Sequence, residues 1–325
     1  MKCFVTGATG FIGQRLVETL IDKGYDVHVL VRNRNFQNQH QQIKVFQGDL
    51  FDVEVINNAI QGCDAVFHMA AYANLWSKDK TLAYRTNVEG TENVLKAALK
   101  NKIMKAVFTS SAGTLPPSEN MELVDETFPP PKVYLTEYET TKRQAEQICM
   151  DYAKKGLNIV IVNPSRVFGP GLLNKSNSVT ILIKKYVEGK WRIIPGNGSQ
   201  VGNYVFIDDV ISGHILALEK GSIGEKYILG GENISYAELF GLLAEISGKK
   251  YKMVHLPLSL MMLVGKLELF LAENFGKKPL ITPPWVRRYH QNRLLSNKKA
   301  ENQLGYQILP LKTGLEETIN WIKKK

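Results

Sequence analysis

The sequence predicts an α/β fold: a parallel sheet doubly wound by helices, with a smaller, discontinuous C-terminal lobe. Three observations carry this. Over roughly the first 165 residues, short apolar runs alternate with helical patterns. The run Leu157–Val162 (LNIVIV) is apolar at nearly every position, as a strand buried on both faces requires. After Pro164 the texture turns rich in Gly, Pro, Asn and Ser (NPSRVFGPG, PGNGSQVG), so the chain leaves the sheet there.

Each element has its own reason. Cys3–Thr6 is a short apolar run ending at glycine. Gly13–Lys23 places Leu16, Val17, Leu20 and Ile21 at helical spacing, and Gly24 ends it. Strands are expected at Val27–Val31, Ile43–Phe46 and Ala65–Phe67. Thr86–Lys100 reads as a helix with Val88, Leu95 and Leu99 on its apolar stripe; Ala106–Thr109 reads as a strand and Tyr138–Lys155 as a helix. Parallel strands joined this way need right-handed crossovers. Tyr204–Ile207 and Lys226–Leu229 look like returning strands around the helix Asp209–Glu219, and helices and loops follow from Asn233. The expected division is residues 1–164 plus about 203–231 in the main domain, and about 165–202 plus 232–325 in the second lobe.

Composition excludes several classes. With 325 residues, 44% hydrophobic and 22% charged, the chain is neither disordered, collagen-like nor a coiled coil. Cys3, Cys63 and Cys149 are widely spaced, so neither a disulfide framework nor a zinc motif is expected, and a reducing cytoplasmic location fits. The N-terminus lacks the apolar stretch of a secretory signal. The net charge is +10, and residues 277–325 carry eleven Lys and Arg against three Glu, a net +8. No aromatic-interleaved strand platform or recognition helix accompanies that basic stretch, so no nucleic-acid partner is expected; a solvated face, an anionic substrate or a weak lipid contact explains it. Leu256–Ala272 is apolar but spans only 17 residues and contains Pro257, Lys266 and Glu268. No transmembrane segment is expected, since spanning takes about 20 mainly apolar residues. The segment should pack on the second lobe, peripheral contact with a membrane or a partner being the alternative.

Chemistry is carried by three constellations. Thr6-Gly7-Ala8-Thr9-Gly10-Phe11-Ile12-Gly13 follows a strand and opens a helix, the context of a dinucleotide-binding glycine motif. Gly7 lets the chain turn, Gly10 lets backbone approach a pyrophosphate, and Gly13 lets helix and strand pack closely. The helix N-terminus then offers free N–H groups to phosphates. Second, no carboxylate ends the second strand; Arg32 and Arg34 stand there instead, suited to a 2′-phosphate. That favours NADP, with NAD possible. Asp49, followed by Leu50, closes the third strand, where a carboxylate could accept from the adenine amino group. Third, Ser110-Ser111 ends a strand, and Tyr138 and Lys142 stand four apart on one helix face. A lysine ammonium near Tyr138 would lower the phenol pKa from about 10 and let it exchange a proton with a substrate oxygen. Thr136 and Glu139 form a capping-box pattern that starts this helix.

Other residues have plainer readings. His28, His68 and His214 are expected to be packed, Asp208-Asp209 to cap a helix, and no metal site is expected. Trp76, Phe168, Trp191 and Tyr204 could line a pocket or the core.

These motifs in this order resemble the extended short-chain dehydrogenase/reductases, the glycine motif making the sheet Rossmann-type. The matching segments run through the chain: TGATGFIG (6–13), GDL (48–50), HMAA (68–71), NVEGT (87–91), FTSSAGT (108–114), YETTK (138–142), NPSRVFGPG (163–171) and FIDDV (206–210). FTSSAGT, and VRN after the second strand, are most similar to the dihydroflavonol-4-reductase-like branch, which also holds epimerase/dehydratase proteins. The resemblance implies that Ser111 is the catalytic serine, with Ser110 as fallback and cofactor contact. It implies that Tyr138 is the general acid/base, that Lys142 lowers its pKa and binds the nicotinamide ribose, and that Asn87 completes a proton relay or serves structure. Ala70, Ala71, Pro164 and Val167 become cofactor contacts. Phe206 departs from the family's usual His. The implied activity is NADP-dependent reduction of an aldehyde or ketone. Alternatives are a nucleotide-sugar epimerase or dehydratase, whose diphosphate would suit Arg166 or Lys175, a 3β-hydroxysteroid-type dehydrogenase, or a non-catalytic cofactor sensor. A homodimer is also implied.

Overall fold

The computed structural model describes residues 1–33, 40–174 and 177–324. Its centre is a seven-stranded, fully parallel sheet built from β1 (Lys2–Thr6), β2 (Asp26–Val31), β3 (Ile43–Gln47), β4 (Ala65–His68), β5 (Lys105–Thr109), β6 (Ile159–Pro164) and β10 (Lys226–Leu229). The strand order is β3-β2-β1-β4-β5-β6-β10. The winding direction reverses between β1 and β4, so their carboxyl ends open a crevice at the topological switch point.

Period-two side-chain alternation explains why the strands are apolar at almost every position. Val5, Val29, Phe67, Val107 and Val160 enter the core on one face. Phe4, Leu30, Val66, Phe108 and Ile161 enter the core on the other. Helix α1 (Phe11–Asp22) packs with α7 (Ile207–Lys220) on one side. Helices α2 (Val53–Ile60), α4 (Gly90–Lys100) and α5 (Glu137–Lys154) form the other layer.

The second lobe differs from expectation in its strands. β7 (Arg166–Phe168), β9 (Val201–Phe206) and β11 (Glu232–Ser235) form a separate three-stranded sheet, while β8 (Ile193–Pro195) pairs with β12 (Val254–Leu256). Of the two strands expected to return to the main sheet, only β10 does so. These pieces are three to six residues long, too short for periodicity to distinguish them from loop. Asp208 and Asp209 lie in the first turn of α7, and Phe206 occupies its N-cap position. Asp208 pairs with Arg15 at 2.7 Å, and Asp209 accepts from the Leu309 amide at 2.9 Å. The apolar segment forms α9 (Leu258–Phe275), which is held by one narrow face, Met261, Gly265 and Ala272, against α10 (Pro283–Tyr289). Its remaining surface is largely open. Among the described residues no helix is long and apolar enough to cross a membrane.

Candidate active site

The glycine turn joins β1 to α1 at the switch point. Gly7 has φ +77°, and a Cβ there would lie 2.7 Å from the Ala70 amide nitrogen. A Cβ on Gly13 would lie 2.1 Å from the Gly7 carbonyl oxygen. Both glycines are therefore required by close backbone approach. The Gly10 amide donates to Gly7 O at 2.9 Å, and no side chain caps α1. The first-turn amides at Phe11 and Ile12 thus belong to a helix end suited to an anion. Thr9 is exposed beside it. This cradle fits a dinucleotide pyrophosphate.

Behind the turn, a buried network ties the strand ends together. The Thr6 hydroxyl accepts from the Ala70 amide (3.2 Å) and meets His68 Nδ1 (2.6 Å). The Thr91 hydroxyl donates to the Asn87 carbonyl at 2.6 Å, so His68 Nε2 must be the donor to Thr91 at 2.9 Å. His68 is therefore neutral and accepts from Thr6; burial, then Lys142, holds its pKa down to about 3. Asn87 sits in a π-helical stretch (Arg85–Glu89). Its Oδ1 accepts from the Tyr72 amide at 2.6 Å, and its Nδ2 donates to Tyr72 O and to Thr141 Oγ1. Asn87 thus clips the loop after β4 to α5.

The two serines of the β5 end separate cleanly. Ser110 is buried and donates to Glu146 Oε1 at 2.6 Å, a carboxylate that also accepts from Thr114, Asn163, Lys226 and Arg143. Burial works against the Glu146 charge, but Lys226 and the hydroxyl donors outweigh it and keep its pKa low. Ser111 instead accepts from the Gly113 amide at 3.0 Å, and its hydroxyl favours the ionised form of the Tyr138 phenol.

Tyr138 enters from α5, which begins with the expected capping box: Thr136 accepts from the Glu139 amide at 3.2 Å and Glu139 returns to Thr136. Burial raises the Tyr138 pKa above its ordinary value of 10, opposed by the Ser111 hydrogen bond and the Arg288 charge. The Lys142 ammonium donates to the Thr109 carbonyl at 2.7 Å and lies 4.7 Å from the Phe108 ring centre. Burial lowers its pKa to about 8.

Arg288 of α10, which sequence reasoning missed, is a cation whose field lowers the Tyr138 pKa. Its Nε donates to Glu139 Oε1 at 2.5 Å, and Arg293 Nη2 reaches the same oxygen at 3.2 Å. A Cβ on Gly113 would stand 3.2 Å from both Arg288 Nη2 and Ser111 Oγ. About 150 positions separate Glu139 from these arginines, so no local pattern signals them.

The remaining expected residues are placed as follows. Arg32 is exposed just beyond β2, while Arg34 and Lys175 lie outside the described residues. Asp49 Oδ1 accepts from the Phe51 amide at 2.7 Å, and Leu50 is buried against Gly90. Ala70 is half-buried and Ala71 exposed at the end of β4. Pro164 ends β6, and Val167 is half-buried in β7. Between them Ser165 Oγ is buried and has no hydrogen-bond partner among the described residues, as is true of Trp76 Nε1; buried polar atoms of this kind call for a ligand or water. Phe168 packs edge-on against Phe206 in the core. Arg166 donates to Tyr204 OH at 2.8 Å and lies 5.3 Å from the ring centres of Tyr204 and Tyr236. His28 and His214 are buried and bonded to Ala59 O and Val210 O. Among the described residues no group of three or more His, Cys, Asp or Glu could hold a metal ion.

A doubly wound parallel sheet, a glycine turn at its switch point and a serine at the end of β5 with a tyrosine on α5 define an enzyme of the extended short-chain dehydrogenase/reductase type. The profile of the NAD dependent epimerase/dehydratase family matches residues 3–230, and the chain belongs to that family. A Synechocystis sp. protein whose assignment as a dihydroflavonol 4-reductase is provisional is 32% identical over 98% of this chain and 94% of its own. The crystal structure of gox2253 superposes with a TM-score of 0.84 and 33% identity, covering 99% of this chain and 98% of that one. The UDP-glucose 4-epimerase of Thermotoga maritima, solved with UDP-glucose, gives a TM-score of 0.81 at 25% identity, covering 100% and 99%.

Proposed function

We propose that this chain is an NADP-dependent carbonyl reductase in which Tyr138 gives the proton. The observation that carries this reading is the Ser111 hydroxyl at the end of β5, which acts on the Tyr138 phenol of α5 and pulls its pKa down against burial. When bound, the dinucleotide supplies hydride to the carbonyl carbon. Ser111 holds the carbonyl oxygen and Tyr138 protonates it as negative charge develops. Tyr138 is protonated well past neutral pH, because burial raises its pKa, which suits a proton donor. Ser110 serves structure through Glu146. Lys142 would hold the nicotinamide ribose, and Asn87 positions α5 through Thr141.

The dinucleotide would lie across the crevice. Thr9, Gly10, Phe11 and Ile12 face the pyrophosphate, and Asp49, Leu50, Ala70 and Ala71 border the adenosine side. Pro164 and Val167, with the buried Ser165 hydroxyl, border the nicotinamide. Arg32 takes the 2′-phosphate, and Arg34 joins it in the sequence. The chain works as a cytoplasmic homodimer, with residues 1–164 and about 203–231 holding cofactor and the rest shaping the substrate pocket.

A second reading, a nucleotide-sugar epimerase, is favoured by the Arg166 guanidinium set among Tyr204 and Tyr236, a group suited to a diphosphate. Nicotinamide absorbance separates the readings. Net NADPH consumption on aldehydes or ketones supports the reductase; turnover of UDP-sugars without net consumption supports the epimerase. Tyr138→Phe should lower kcat at least about a hundredfold while the cofactor dissociation constant stays within about twofold. Preference for NAD would overturn the role of Arg32.

A further inference from the structure

Helix α9 presents its apolar side chains outward. Leu260, Leu263, Leu267 and Phe270 recur at three- and four-residue spacing and therefore share one face. All four are exposed, Leu263 at 64%. The buried residues Met261, Gly265 and Ala272 lie on the opposite side. The apolar surface continues from the last helical residue, Phe275, 74% exposed, along the segment that follows to Leu280, 83% exposed. Exposed apolar surface of this continuity marks an interaction site.

That segment is held in place. Glu268 Oε2 accepts from the Leu280 amide at 3.1 Å, and its other oxygen stands 3.9 Å from Lys277 Nζ. Phe270 and Phe275 pair edge-on at 6.5 Å. Lysines bracket the apolar face: Lys250 and Lys252 precede it, and Lys277 and Lys278 sit between Phe275 and Leu280. From Lys249 to Leu280 there are six lysines and two glutamates, a net +4, followed by exposed Arg287.

We propose that α9 and the Phe275–Leu280 segment form a docking surface for an anionic phospholipid bilayer, lying in the interface without crossing it. Charge decides the occupant. A second copy would bring two equally basic stretches together, whereas anionic headgroups neutralise them. Apolar tips enter the acyl boundary while lysine stems reach back to the headgroups. The surface is not remote from catalysis: Gly265 of α9 packs against Thr282, Pro283 and Val286, and the same α10 carries Arg288 to Glu139 beside Tyr138. Docking does not depend on which reaction the site performs.

Vesicle flotation of the full chain tests this. It should float with phosphatidylcholine–phosphatidylglycerol vesicles and at least about tenfold less with phosphatidylcholine alone. Lys277→Glu/Lys278→Glu and Leu263→Asp/Leu267→Asp should each reduce flotation about tenfold or more, with cofactor affinity unchanged. No flotation with anionic vesicles overturns the proposal, as does undiminished flotation of both variants. So does a dimer that Leu263→Asp/Leu267→Asp splits while no variant or parent floats. Should the aspartates unfold the chain, Phe275→Cys carrying an environment-sensitive dye gives a second readout, because Cys3, Cys63 and Cys149 are buried. A blue shift on adding anionic vesicles supports insertion of the segment; its absence overturns it.

Discussion

Tyr138 and Lys142 stand one turn apart on α5, yet their protons answer to different neighbours. The phenol meets Ser111 and the field of Arg288; the ammonium is buried on Phe108 and the Thr109 carbonyl. Burial lowers the Lys142 pKa from 10.5 to about 8. Below pH 8 both folded and unfolded chains hold the proton, and burying the ammonium weakens the fold by a constant amount. Between about pH 8 and 10.5 the unfolded chain binds more protons, so stability gains with rising pH. The unfolding free energy of the wild type relative to Lys142→Met should therefore climb by up to about 3 kcal/mol over that window. Urea titrations across the pH range check this, and a flat difference would refute the buried ammonium. Sequence placed both residues on one helix face because i and i+4 spacing is local. It did not show which way the lysine turns, since that depends on a carbonyl 33 positions earlier.

At the scale of elements, α5 is where local and distant order meet. Its capping box was legible from Thr136 and Glu139 alone. The second task of Glu139, holding Arg288 and Arg293, was not, because both arginines come from the far lobe. Glu139 is 1% exposed, so Glu139→Gln leaves two guanidinium groups short of their carboxylate. Breaking buried pairs this way costs about 3 kcal/mol. A urea midpoint lowered accordingly is the expected result. A Glu139→Gln variant as stable as wild type would mean the arginines are solvated. The same variant also removes the negative charge beside Tyr138.

At the scale of the molecule, the two lobes share a core. Leu311, Leu315, Ile319 and Ile322 of α12 (Leu311–Lys323) belong to the same buried cluster as Val5, Val29 and Val160 of the sheet. Burying four such side chains contributes about 6–12 kcal/mol, comparable with the whole stability of a typical domain, about 5–15 kcal/mol. Deleting residues 311–325 should therefore abolish the folded protein instead of freeing an intact cofactor domain. Soluble yield and circular dichroism decide it; a truncated chain that still unfolds cooperatively would show that the lobes are independent.

What the sequence determined by itself is whatever a few neighbouring residues settle. Short continuous apolar runs alternating with helical patterns predict the parallel strands. Three glycines within seven positions predict the turn, and the Thr-x-x-Glu pattern predicts the start of α5. Tertiary structure decided what depends on partners more than a hundred positions away or on the direction of a side chain. It assigned Ser111 to Tyr138 and Ser110 to Glu146, brought Arg288 to the site, sent β9 into a separate sheet, and left one face of α9 uncovered. Hydrophobic periodicity is the same for a helix face that meets a core and one that meets something else, so only the packed chain could distinguish them.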